Sequence, residues 1–411
     1  MDNFNTDTKP IPPDPNLMSL TGPTLAATSG DEMCSGLPPS SRTTRITGKS
    51  NFYHDAQLSA DASVIITHNE DQRLRTYLLP EINSNDDSGA NNDVIPPLLA
   101  PYTTYASPSN IISYALFPSF NRGDSTTTWV LTGAHDQPIK LRNASDYNNS
   151  HTYHFINDMT EQYIKPHSLI FTNDCQHFIV GSMNKLGLFK LEGDGKPMSV
   201  LQLARDKQAC HGIISSLAIE WNDGILAAGT FQRQVSLFGR AGAKKADTTF
   251  SLADPYPGNV NPLRGAGVTK MIWSPCGTYL CTAERWSDVI QMWDIRNLRA
   301  RVAHLIQRKA LTAQRIGFDV SNNGSFDIYA GGTDGTVSKW DNVGHANGEM
   351  APTTSWLLHE GVVSGTLLLP GNMMATCSGS RFKDFETDDS NDAVVPDSYW
   401  PDNRLLLWNL S

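Results

Sequence analysis

The stretch Ser274 to Arg296, S-P-C-G-T-Y-L-C-T-A-E-R-W-S-D-V-I-Q-M-W-D-I-R, constrains the fold more than any other part of the chain. Val268 to Trp273, just before it, reads as a short strand. Ser274-Pro275-Cys276-Gly277 is then a turn, with Pro presetting its own φ and Gly free to take positive φ. Tyr279 to Ala283 reads as a second strand, Arg285 to Asp288 as a polar turn, and Val289 to Asp294 as a third strand. The result is a small antiparallel meander ending on Trp293-Asp294.

The meander recurs. Aligned on their third strands, seven units end at Tyr77, Arg142, Phe189, Phe238, Trp293, Trp340 and Trp408. The spacings are 65, 47, 49, 55, 47 and 68 residues, mostly near or above the roughly 40 to 45 of a WD repeat. The two long spacings coincide with polar or acidic insertions at 81–108 and 383–403. A small sheet of this kind cannot bury both faces alone, so such units stack radially. The reading is all-β, a seven-bladed WD40-type β-propeller over residues 45–411. No convincing amphipathic helix interrupts it. Residues 1–44, rich in Pro, Ser, Thr and Asn, cannot offset their ordering entropy by burial and read as a disordered tail. The chain stops after the third strand of blade seven, which would leave a bare edge. A strand near Arg42 to Gly48 is expected to close the ring.

Composition narrows the remaining classes. A hydrophobic content of 39% suits a soluble protein. No run approaches the roughly 18 apolar residues of a membrane span, and the N-terminus lacks the pattern of a signal peptide, so cytosol or nucleus is expected. The six cysteines have no paired or metal-binding spacing and read as reduced thiols. Seven acids lie between Asp384 and Asp402 and four between Glu81 and Asp93. Removing those eleven from the net charge of −10 leaves a formal balance of +1. The acidity therefore sits in expected loops, and an anionic partner for the body is not excluded.

No catalytic constellation stands out, and no enzyme activity, cofactor or metal site is expected. Asp71, Asp136, Asp288 and Asp334 precede third strands, where a carboxylate supports the turn. His167, His211 and His359 stand at blade starts as structural histidines. Arg264-Gly265-Ala266-Gly267 precedes a strand and is no dinucleotide fingerprint. Between Ile295 and Phe318 there are six basic residues and no acid. That span reads as a solvated outer edge or as a phosphate-contacting patch. Arg285 and Trp286 share a rim turn, where a cation beside an aromatic is suited to stacking an unpaired RNA base.

Four segments carry a family resemblance: G-I-I-S-S-L-A-I, S-P-C-G-T-Y-L through E-R-W-S-D-V-I-Q-M-W-D-I-R-N, Q-R-I-G-F-D-V through G-T-V-S-K-W-D, and M-A-T-C-S-G-S-R-F. Over about residues 50 to 410 the chain resembles the WD-repeat telomerase Cajal body protein family, including its fungal splicing-associated relatives. The resemblance implies a nuclear, monomeric, non-catalytic propeller that binds small nuclear or guide RNA within ribonucleoproteins. Its roles would lie in RNA localisation, telomerase assembly or pre-mRNA splicing. Matching positions are Phe52, Arg264 and Arg285, with Lys207, Gln208, Gln314, Arg315 and Arg381 in nearby turns and Trp286 beside Arg285. Phe52 is equally readable as core. Arg142-Asn143 departs from the Trp-Asp of relatives, which bears more on telomerase and Cajal-body roles than on RNA binding. A protein-only WD40 scaffold or adaptor is the alternative.

Overall fold

A computed structural model describes residues 22–30, 51–80, 96–206, 208–240, 245–253, 263–322, 324–381 and 402–410. They form seven sheets, six of four antiparallel strands and one of five whose last pair is parallel. All seven anchors lie on third strands, in matching register. Tyr77 faces Ile65, Arg142 faces Val130, Phe189 faces Phe178, and Phe238 faces Leu226. Trp293 faces Leu280, Trp340 faces Ile328, and Trp408 faces Met374. Arg142 keeps the position usual for Trp because its guanidinium stacks 4.2 Å from the Tyr105 ring and donates to the Tyr147 carbonyl. The described residues hold no α-helix.

Strands alternate hydrophobic side chains on both faces because both faces of each blade are covered. The seven apolar clusters each join two neighbouring blades. One, for example, sets Leu131 and Tyr153 of blade two against Phe178 and Phe189 of blade three. Another joins Tyr53 and Tyr77 of blade one to Leu405 and Leu407 of blade seven. The core is thus a ring of interfaces around a central channel, and the inner strand of blade seven packs on that of blade one.

The closing strand differs from expectation. Thr24–Thr28, inside the stretch read as a structureless tail, pairs antiparallel with Leu405–Asn409, setting Thr24 against Asn409 and Thr28 against Leu406. An edge needs only an extended partner, and this one buries Ala27 completely. The expected strand at Arg42 to Gly48 lies outside the described residues, as do 81–95 and 382–401.

The basic segment after blade five also differs. Its outer strand, Ala303–Leu305, is fully buried rather than solvated, and it is covered by Gly348–Met350 running parallel to it. Arg301 and Arg308 are buried, while Arg296 pairs with Asp294 and Lys309 with Asp334, both at 2.7 Å. No continuous phosphate patch remains. Asp402, counted with the acidic insertion, is a core residue. It accepts from His359 Nδ1 at 2.8 Å, and the other His359 nitrogen meets Thr376 Oγ1, which also accepts from Trp408 Nε1.

Candidate nucleic-acid interface

Strand alternation fixes where the expected contacts lie. In each blade the inner strand starts, the second ends, the third starts and the outer ends on one face of the ring. Every expected contact falls in an outer-to-inner or second-to-third connection, so the fold gathers them on that face. Phe52, Gln208, Arg264, Gln314 and Arg315 occupy the first kind, and Arg285, Trp286 and Arg381 the second. Lys207 lies outside the described residues.

Arg285 and Trp286 follow the second strand of blade five, Tyr279–Glu284. The Arg285 backbone is clamped on both sides: its N–H donates to Gly267 O at 3.0 Å, and its carbonyl accepts from Ala266 N at 2.8 Å. Only glycine fits at 267, where φ is +119° and a Cβ would fall 2.5 Å from Phe231 Cα. The clamp lays the Arg285 guanidinium 3.7 Å over the Phe231 ring. Burial pushes its pKa below the usual arginine range, and the charge of Arg381 pushes in the same direction.

Trp286 adopts a left-handed backbone with φ of +55° and leaves its indole half exposed. It lines a cleft of about 510 Å³ with Arg233, Leu263, Arg264, Gly265 and Leu311. Arg264 reaches solvent. Arg233 is instead locked on Glu284, with Nε to Oε1 at 2.7 Å and Nη2 to Oε2 at 3.0 Å. An aromatic wall, an apolar wall and a free cation at the rim suit a flat, anionic ligand.

The remaining expected residues divide. Phe52 is 2% exposed, beneath Gly379, and offers no ring face to solvent. Gln314 is buried and bridges two segments, donating to Gly379 O at 2.8 Å and accepting from Arg381 N at 2.9 Å. Arg381 and Gln208 reach solvent. Arg315 stands at the channel, its Nη2 3.4 Å from Ser215 O on the inner strand of blade four. Sequence reading missed Phe231, Arg233 and Leu311. The first two occupy the turn of blade four equivalent to Arg285-Trp286, and blade-to-blade alignment of turns would have found them. Among the described residues, no three His, Cys, Asp or Glu are grouped to hold a metal.

No protein-family model matches the chain. Over 355 residues it is 30% identical to the guanine nucleotide-binding protein negative regulator 1 of Schizosaccharomyces pombe, covering 83% of each chain. It is 26% identical over 334 residues to human telomerase Cajal body protein 1, covering 80% of this chain and 57% of that protein. The chain belongs to the WD-repeat telomerase Cajal body protein family. A further family relative, Protein SWT21 of Candida glabrata, is 26% identical over 301 residues, covering 70% of this chain and 66% of that one. The chain spans about six-tenths of the length of its mammalian family relatives. What it shares with the family covers most of the propeller.

Proposed function

We propose that this propeller binds unpaired segments of small nuclear or guide RNA, acting as a non-catalytic, monomeric, nuclear component of ribonucleoproteins. The observation that carries the reading is the blade-five rim cleft. It holds a half-exposed Trp286 and an exposed Arg264 within one concave surface, and the clamped Arg285 precedes Trp286 in the same turn. Such a site stacks a base on the indole and meets its phosphates with guanidinium groups. The names of the mammalian relatives, which join telomerase with the Cajal body, support a nuclear ribonucleoprotein setting and either RNA localisation or telomerase assembly. Splicing is the other process in which the same RNA chemistry would serve.

The test is crosslinking of the tagged protein to RNA in cells, followed by sequencing of the attached RNA. A discrete set of small nuclear RNAs, depleted by Arg264→Ala and Trp286→Ala, is expected. Background RNA beside an unchanged, nuclease-resistant protein complex would sink the reading. That outcome would favour a protein-only scaffold, the alternative to which the fission-yeast relative's name, a negative regulator of a guanine nucleotide-binding protein, lends support.

A further inference from the structure

We propose that the mouth of the central channel, on the same face, is a binding site for a phosphate group held by Arg315 and Arg285. The proposal deepens the RNA reading and rests on it for the source of the phosphate. The site itself is testable with a free anion.

Arg315 lies just before the inner strand of blade six, Phe318–Val320, and reaches past blade five to the Ser215 carbonyl of blade four. Its charge acts on His68 of blade one and on His167 at the entry to blade three. Asp55 of blade one and Arg285 of blade five act on Arg315 in turn. A side chain that starts at the entry to blade six and reaches the inner strand of blade four stands near the axis, and it meets solvent there.

Among the described residues neither Arg285 nor Arg315 forms an ion pair, and Arg285 Nε is buried with no acceptor. Glu70, the acid in the adjacent turn of blade one, is engaged by His54 Nε2 at 2.7 Å. Asp55 partly offsets Arg315, but Arg381 adds to the positive field around Arg285. Burial opposes the charged form of both arginines, and the charge of Arg285 also opposes that of Arg315. An anion at the mouth offsets that cost. Concave, protein-walled sites focus the field of their charges, and a guanidinium offers phosphate two parallel donors. A phosphate here would lie beside the Trp286 cleft, as the backbone of a nucleotide stacked there requires.

The experiment is calorimetric titration of the full chain with inorganic pyrophosphate at low ionic strength, with a short single-stranded RNA titrated in parallel. Binding to one site is expected, weakened about tenfold by Arg315→Met. It should be partly retained in Arg315→Lys, which keeps the charge but loses the bidentate fork. Arg296→Met, on the opposite face, serves as the charge-matched control and should bind as wild type. Thermal unfolding of each variant verifies the fold. If the RNA backbone supplies the phosphate, pyrophosphate displaces RNA and Arg315→Met weakens both. If a free anion is the ligand, pyrophosphate binds through Arg315 and RNA is not displaced. Failure of the folded wild type to bind pyrophosphate overturns the phosphate site, even where Trp286-dependent RNA binding persists. Equal binding by folded Arg315→Met and Arg315→Lys overturns it as well. Arg315-dependent pyrophosphate binding with no RNA binding leaves the site standing and overturns only its RNA source.

Discussion

Arg308 and Arg264 carry the same charge, yet only Arg264 meets water. Arg308 is 1% exposed and spends its guanidinium on backbone carbonyls, with Nη2 donating to Gly317 O at 3.1 Å and also to Ile316 O, and Nε to Gly331 O at 3.4 Å. Burial pushes its pKa down to about 10, against an upward pull from Asp288. Arg308→Met would leave buried carbonyls unsatisfied and is expected to cost about 3 kcal/mol in denaturant unfolding. RNA affinity of the folded fraction should not change, and a selective loss of RNA binding would contradict the structural role. The sequence showed the charge at 308 but not its burial, because the enclosing carbonyl at Gly331 arrives from another blade strand. His68 presents the same problem for pH. It is buried against His54, with ring centroids 4.7 Å apart, and its Nε2 has no partner. Burial, then His54, push its pKa well below the ordinary value; Arg315 adds to this and Gln72 opposes it. The unfolded chain takes up a proton near pH 6.5 that the fold refuses, so stability falls as pH drops below that value. The expected slope is up to about 1.4 kcal/mol per pH unit for this group. His68→Phe should flatten the slope between pH 6.5 and 5; an unchanged slope would remove His68 as its cause.

The strands themselves were largely legible. Phe189, Phe238, Trp293, Trp340 and Trp408 each close a short β-rich run after a polar turn, and that local pattern belongs to one segment at a time. Thr24–Thr28 carries no such signal. Thr-Leu-Ala-Ala-Thr becomes a strand only because Leu405–Asn409 offers it an unpaired edge. Gly348–Met350 is a strand for the same reason, lying along blade five although the chain has already passed into blade six. Such borrowed strands depend on what waits to be covered, and local pattern cannot show them. Removing residues 1–30 should therefore uncover the third strand of blade seven and the surface beneath Ala27. Thermal unfolding is expected to drop by several degrees, roughly what a loss of 1–3 kcal/mol produces in a large domain. Light scattering should show concentration-dependent self-association through the bare edge. A monomer with an unchanged midpoint would mean that another segment closes the ring.

At the scale of the molecule, a chain of net charge −10 is asked to bind a polyanion. The arrangement works only if charge is sorted by face. The fold places Arg264, Arg285, Arg315 and Arg381 on the face where the inner strands begin. Salt separates the parts these residues play. If about four phosphates are neutralised, the logarithm of RNA affinity should fall with the logarithm of salt at a slope of about −3, because single strands release roughly 0.7 counterion per contact. That is a loss of roughly 50-fold between 50 and 200 mM salt. Arg264→Ala should make the slope shallower by about 0.7, since it removes one phosphate contact. Trp286→Ala should instead lower affinity by about 1–3 kcal/mol at every salt concentration, with the slope preserved, since stacking releases no counterions. Filter binding of a single-stranded RNA across a salt series reads both quantities. A flat salt response in the wild type would dismiss the sorted-charge face altogether. A Trp286→Ala variant that changes the slope but not the affinity at low salt would move the base out of the cleft and leave only the arginines at work.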